Sequence, residues 1–208
     1  LDAHDTAEIA AVDAALQRGS TVIAPADPRL SRVQNQIYAA PIQSLQAAAD
    51  LARAAGCEVR LLGDAVEGEA RDVARAQATE ALRIKAAMPP GAAPVLLLSG
   101  GELTVTRTGD GIGGPNAEFC LALALVLQGA PGIHALACDT DGVDGAAEVA
   151  GALIGPDTLA RAQRAGIDAT AALARNDAHS FFAAVGGQIV TGPTLTNVND
   201  FRAILITA

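Results

Sequence analysis

Apolar and polar positions follow two periods along the chain, one helical and one strand-like. Near the start, Ile9, Val12 and Leu16 recur at helical spacing, and the pattern predicts a helix over 7–18 that stops at Gly19. Ala24-Pro25-Ala26-Asp27-Pro28 then reads as a turn-rich connector, because each proline restricts its own backbone and that of the residue before it. Residues 1–32 are therefore expected to be a linker or the tail of a preceding domain, with an α/β domain over 33–208. From Val33 the pattern alternates. A short strand is expected over Gln36–Ala39, a helix over Ile42–Ala55 ended by Gly56, a strand over Glu58–Leu62 ended by Gly63, and a long helix over Gly68–Met88 stopped by Pro89-Pro90.

The second half continues the rhythm. Pro94-Val95-Leu96-Leu97-Leu98 suits a strand buried on both faces. Gly100-Gly101 is expected to turn it into a hairpin partner over Leu103–Arg107. A glycine-rich loop over Thr108–Gly114 opens an apolar helix over Asn116–Gln128, followed by a buried strand over Ile133–Cys138. Short helices are expected over Thr158–Ala165, Thr170–Ala174 and Asp177–Val185, the last with Asp177 as N-cap, and strands over Gln188–Thr191 and Phe201–Ile206. Such alternation predicts an α/β fold, three layers α/β/α around a mixed, mostly parallel sheet.

Composition narrows the function. The chain has 208 residues, a net charge of −9 and 2% aromatic residues with no Trp. A nucleic-acid binder needs basic stripes or stacking platforms, and both are missing. No apolar run reaches the ~18 residues of a membrane span, and Leu-Asp-Ala-His-Asp is no signal peptide. A cytoplasmic protein is expected. The chain does not begin with Met, which fits a start inside a longer protein. Cys57, Cys120 and Cys138 lack metal-ligand spacing and sit in apolar segments, so inert thiols are expected.

Polar and glycine-rich residues cluster beyond apolar strands in four loops, 99–102, 109–118, 139–145 and 191–200, and open α/β sheets bind ligands beyond the carboxyl ends of their strands. Gly109-Asp110-Gly111-Ile112-Gly113-Gly114 matches G-x-G-x-x-G, but after a hairpin strand rather than inside a βαβ unit. An anion site made by backbone N–H groups at the helix start is the better reading, with Asn116 and Glu118 beside it. Asp139, Asp141 and Asp144 follow one another within six residues. Two readings stand open: carboxylates that hold Mg²⁺ beside substrate phosphates, or an Asx-turn loop bonded to its own backbone. An EF-hand is excluded because Val143 takes the place of an oxygen ligand. The strand-Asp-x-Asp-Gly pattern resembles the haloacid-dehalogenase phosphotransferases, but these require a downstream Lys, and Lys85, the sole lysine, lies upstream. Thr191, Thr194, Thr196 and Asn197 supply hydroxyls and an amide suited to a polyhydroxylated or phosphorylated ligand. Asn176 reads as a helix C-cap.

Together these motifs are far more specific than any one alone. Ser99-Gly100-Gly101-Glu102, Gly113-Gly114-Pro115-Asn116-Ala117-Glu118, Asp139-Thr140-Asp141-Gly142-Val143-Asp144-Gly145, Asn176-Asp177 and Thr191-Gly192-Pro193-Thr194 with Thr196–Asp200 resemble the MOFRL family, the C-terminal region of glycerate 2-kinases whose bacterial members are often labelled hydroxypyruvate reductases. The resemblance runs from about residue 33 to the end. It implies a two-domain enzyme that phosphorylates D-glycerate from ATP in an interdomain cleft, with a Rossmann-like N-terminal domain as this domain's partner and this chain inactive by itself. Asp139, Asp141, Asp144 and Glu102 are its implied catalytic residues, and Asp139 and Asp141 would hold Mg²⁺. Gly113, Gly114, Asn116, Glu118, Asn176, Thr191, Thr194, Thr196 and Asn197 would bind substrate or phosphate. Two positions depart from the family. Pro115 stands where many members have Arg, leaving Arg107 or Arg175 as substitutes, and Leu195 stands where Gly is common. The alternatives are an NAD(P)H-dependent hydroxypyruvate reductase and a non-catalytic ligand-binding domain; a homo-oligomer is left open.

Overall fold

The computed structural model describes residues 12–15, 23–24, 26–145 and 147–208. The chain divides into two units, 1–38 and 39–208. In the first, residues 12–15 are helical, while the rest of the helix expected over 7–18 lies outside the described residues. A 3₁₀ turn over Pro28–Leu30 is opened by Asp27, whose carboxylate accepts from the Arg29 amide at 2.9 Å. The strand expected over Gln36–Ala39 does not form. Ile37 and Tyr38 are 86% and 94% exposed, so no sheet face buries their alternation.

The second unit carries α1 (Pro41–Ala54), β1 (Glu58–Glu69), α2 (Ala70–Ala87), β2 (Val95–Thr104), α3 (Pro115–Leu127), β3 (Ile133–Asp139), β4 (Gly151–Ile154), α4 (Thr158–Arg164), α5 (Ala169–Ala174), α6 (Ala178–Val185), β5 (Gln188–Ile189) and β6 (Asp200–Ile206). Proline occupies the first turn of α1 and of α3, where its missing N–H goes unneeded. The strands form one sheet in the order β1-β2-β6-β3-β4-β5. Thus the α/β class and the mixed sheet are present, but the expected parallel majority is not. Only β1 and β2 run parallel, and the other pairings are antiparallel. The cause is β6, which returns from the end of the chain into the middle of the sheet, antiparallel to both β2 and β3.

The expected hairpin at Gly100-Gly101 is also absent: β2 runs straight through both glycines to Thr104. Gly101 has φ +107°, and a Cβ there would collide with the backbone of Val66 in β1, while one at Gly100 would lie 3.3 Å from the Asp200 carbonyl. The pair permits close approach of neighbouring strands instead of a turn. β1 likewise continues past Gly63, with register shifts against β2 on either side of it.

One face of the sheet carries the main core. Ala70, Ala74, Ala78 and Ala81 of α2 let that helix pack closely on the nearly all-apolar α3, against Leu97, Ala137 and Ile204 of the sheet. On the opposite face, among the described residues, α1 packs through Leu45 and Ala49 on Leu98. The strand directions put the carboxyl ends of β2 and β3, the end of β5 and the start of β6 on one edge. The loops 105–114, 140–150 and 190–199 therefore share that edge.

Candidate functional site

The loop after β3 is built by its own aspartates. The Asp139 carboxylate accepts from the Asp141 amide at 3.0 Å, and the Asp141 carboxylate accepts from the Val143 amide at 2.8 Å, two successive Asx turns. The second oxygen of Asp141 accepts from the Asn197 side-chain amide at 3.1 Å, and the Asp141 carbonyl accepts from the Thr194 amide. Thr140 bonds Asn199 and Val198, so the loops 139–145 and 191–199 are laced together. Thr191, Thr194, Thr196 and Asn197 are exposed on this rim. Burial, followed by the charges of Asp141 and Asp200, pushes the Asp139 carboxyl up to about 6, against the bond it accepts from the Asp141 amide. Asp139 and Asp141 thus stand half-buried in a local excess of negative charge.

Asp144 has a different place. It is 1% exposed, and its carboxylate accepts from the amides of Asn116 at 2.9 Å and Ala117 at 2.8 Å. It therefore caps α3 from outside the helix. His179 Nε2 donates to the Asp144 carbonyl at 2.9 Å and lies 3.2 Å from its carboxylate. Burial opposes charge on that imidazole, but the Asp144 carboxylate and carbonyl carry its pKa above the ordinary value. This arrangement corrects the expected anion site at the start of α3, since the N–H groups that would hold the anion already face Asp144.

Behind the cap lies a buried polar chain. The Asn116 side-chain amide donates to Asp200 at 2.7 Å, and Arg202 donates to Asp200 at 2.8 Å, to the Gly100 carbonyl at 2.6 Å and to Ser99 at 3.3 Å. Arg202 is fully buried. Neither Asp200 nor Arg202 belongs to the site residues expected from the sequence. The available signal was a charge at each core-facing position where β6 begins, in phase with Ile204 and Ile206.

The glycine-rich loop is held by Asn176, which adopts φ +54° after α5 and is 4% exposed. Its side-chain oxygen accepts from the amides of Thr108 and Gly109, and its amide donates to Thr106 and to Glu118. Glu118 is fully buried and also accepts from Arg71 at 2.6 Å. Between these elements opens a cleft of about 340 Å³, lined by Val105, Arg107, Gly113, Gly114, Pro115 and Glu118, among others. Gly114 admits no side chain, because a Cβ would collide with Asp144. Arg107 is thus brought to the cleft, whereas Arg175 pairs with Asp177 at 2.9 Å and lines a separate hollow with Asp168 and Ser180. Glu102 is exposed on β2, in register with Glu67 of β1, and makes no bond to the residues above. Burial pushes the Cys138 thiol up to about 11 and raises Cys120 as well, so neither is a thiolate near neutral pH.

Among the described residues no helix is long and apolar enough to cross a membrane, and no three His, Cys, Asp or Glu side chains are grouped to hold a metal ion. Comparison with known proteins places this architecture. The chain is 51% identical over 183 residues to a protein of Agrobacterium vitis named "Putative hydroxypyruvate reductase", covering 86% of this chain and 42% of that protein. It is 34% identical to a D-glycerate 2-kinase of Thermotoga maritima, covering 76% and 38%. The crystal structure of a Thermotoga maritima glycerate kinase superposes with a TM-score of 0.81 at 32% identity, over 85% of this chain and 43% of that one. The chain spans less than half the length of these curated relatives. The profile of the MOFRL family matches residues 95–200, the span from β2 to the first residue of β6 that holds the loops described above, and the chain belongs to that family.

Proposed function

We propose that this chain is the C-terminal part of an ATP-dependent glycerate 2-kinase of the cytoplasm that phosphorylates D-glycerate in a cleft shared with an N-terminal domain. The observation that carries the reading is the convergence of the acidic loop 139–145 with the hydroxyl-rich loop 191–199 on one sheet edge, in a chain whose relatives include named glycerate kinases. Phosphoryl transfer asks mostly for positioning and electrostatics. Thr191, Thr194, Thr196 and Asn197 would orient the hydroxy acid or a phosphate by hydrogen bonds, and the two Asx turns fix Asp139 and Asp141 against them.

Mg²⁺ fits this carboxylate pair. The ion takes one or two carboxylates and completes its shell with water and phosphate oxygens, and the Asp139 carboxylate, disfavoured first by burial and then by the charges of Asp141 and Asp200, is one that a cation would relieve. Asp139 and Asp141 would hold it, and it would offset charge on the transferring phosphoryl group. Asp144, Asn116, Glu118 and Asn176 support this edge from within: their polar groups are committed to one another and to the backbone, so their part is to position the loops. Glu102 stands apart from the cluster.

The reductase reading draws on the 51% identical relative. A nicotinamide dinucleotide would seat its pyrophosphate on the N–H groups at the start of α3, and Asp144 occupies them. The test is a coupled assay on the full-length parent protein, with ATP plus D-glycerate against NADH plus hydroxypyruvate. ATP-dependent formation of phosphoglycerate is expected. NADH oxidation by hydroxypyruvate without phosphorylation would overturn the proposal.

A further inference from the structure

The sheet face opposite the main core is apolar across four strands. Cross-strand register puts Leu98, Ala203, Leu136 and Leu153 in one row, and Leu96, Leu205 and His134 in the next. An antiparallel sheet with one face in water alternates apolar and polar residues along its strands. Here His134 is the one polar residue in the two rows, so β3, β4 and β6 carry apolar side chains outward as well as inward. The cover on this side is partial. Helix α1 packs on Leu98 and reaches β6 at Phe201 and Ala203. Over β6, β3 and β4 lies an open hollow of about 380 Å³, lined by Leu96, His134, Leu136, Leu153 and Leu205 among others, with no carboxylate, Lys or Arg. Leu153 is 44% exposed in it. Helix α1 itself has a second apolar stripe, apart from the Leu45–Ala49 face on the sheet. Ala47, Leu51 and Ala54, spaced four and three apart, share one side of the helix and are exposed, Leu51 at 75%. The two charges of α1, Asp50 and Arg53, pair with each other at 3.0 Å.

We infer that this face is an interface with a second copy of the chain, in which a two-fold axis seats α1 of each copy in the hollow of the other. A two-fold contact must be self-complementary. Ridge and hollow meet that demand: α1 stands about 10 Å above the sheet, the hollow lies beside it, and both are apolar. A helix from elsewhere would fill the hollow but leave the Ala47–Leu51–Ala54 stripe in water, whereas a second copy covers both. Helix and hollow together give a flat footprint of roughly 450 Å². Interdigitating side chains raise the accessible area buried above that figure, toward the ~800 Å² per partner of a standard interface. Charge points the same way. The net charge of −9 opposes self-association, and this face brings no net charge together. The inference does not depend on the kinase reading.

The test is sedimentation equilibrium of the 208-residue chain between about 1 and 100 µM, the weak end of what interfaces of this size reach. A monomer–dimer equilibrium is expected, with dimer predominant at the upper end. A chain that stays monomeric throughout would overturn the inference. Leu51→Glu on the ridge and Leu153→Glu in the hollow should each weaken dimerisation about 100-fold or more, because the symmetry buries the new carboxylate twice without a partner. Neither side chain is buried in the monomer, so circular dichroism and thermal unfolding should show both variants folded. Leu195→Glu, the same change at an exposed position on the loop edge, should leave the equilibrium within about twofold. Dimers that persist in folded Leu51→Glu and Leu153→Glu proteins would place the contact elsewhere and refute the assignment. The full-length parent protein supplies the last arm. If it is monomeric where the 208-residue chain dimerises, residues of the parent outside this chain cover the face, and the second copy is refuted as its occupant.

Discussion

Replacement of Asp144 by Ala tests whether this carboxylate serves the fold before it serves any chemistry. The side chain is 1% exposed and meets two α3 amides at 2.9 and 2.8 Å, the Asn116 side-chain amide at 3.3 Å and His179 at 3.2 Å. Loss of the cap alone costs about 1 kcal/mol. The stranded donors are buried, so each adds roughly 1–3 kcal/mol where no water reaches it. Because these effects overlap, the expected loss is about 3–4 kcal/mol, out of the ~5–15 kcal/mol typical of a domain. Urea unfolding of the 208-residue chain at pH 7 should show the midpoint falling by about 2 M at unchanged slope, for a slope of about 2 kcal/mol/M. The pH dependence supplies a second reading. The folded-state pKa of His179 lies above its ordinary value of 6.5, so its pair with Asp144 contributes fully below 6.5 and is lost as pH rises through the folded value. The deficit of Asp144→Ala relative to wild type should therefore shrink as pH climbs above 6.5, and His179→Gln should abolish that trend. A loss under about 1 kcal/mol, or a deficit that grows with pH, would refute the capping argument.

Three further outcomes follow from single residues. Asp139→Asn should stabilise the metal-free chain at pH 7. A carboxyl moved from 3.8 to about 6 corresponds to ~3 kcal/mol at full burial, and solvent screening of this partly exposed group reduces the gain to about 1 kcal/mol; the sign requires the gain to fade as pH drops toward 4, which urea unfolding at several pH values checks. Leu195→Gly should leave the melting temperature unchanged or raise it slightly, because Leu195 is 97% exposed at φ +61° and an L-residue in that region carries about 1 kcal/mol of strain; a clear drop would show that its side chain has an unrecognised partner. Gly101→Ala should destabilise by several kcal/mol, since its Cβ would meet the Val66 backbone at φ +107°, and a melting temperature within 2–3 °C of wild type, roughly what 1 kcal/mol shifts, would argue that β1 and β2 can part there.

Most elements were legible as hydrophobic pattern. Helices α1 to α6 fall within a residue or two of their expected spans, because each has an apolar pattern of helical length, one-sided or, in α3, nearly continuous, and ends at Gly, Pro or a polar cap. β4 is not legible in this way, because Gly151–Ile154 is only four residues, too short for a period to show. The glycine pair at 100–101 is ambiguous in the sequence because a turn and a close strand approach demand the same residue, and only the neighbour, Val66, distinguishes them.

The sequence by itself determined the α/β class, the polar loops 109–114, 139–145 and 191–199 and the family, since these are properties of local order and spacing. Tertiary structure decided what each polar residue does there. Asp139 and Asp144 stand five positions apart in one loop, yet one is half-buried at the rim and the other is sealed under α3. The difference arises from contacts 27 and 28 residues away, at Ala117 and Asn116. Likewise the antiparallel β6, inserted between β2 and β3 from the far end of the chain, set both the strand directions and the buried Asp200–Arg202 pair. Long-range pairing of this kind leaves no mark in local periodicity, because the period of a strand is the same whichever way its neighbours run.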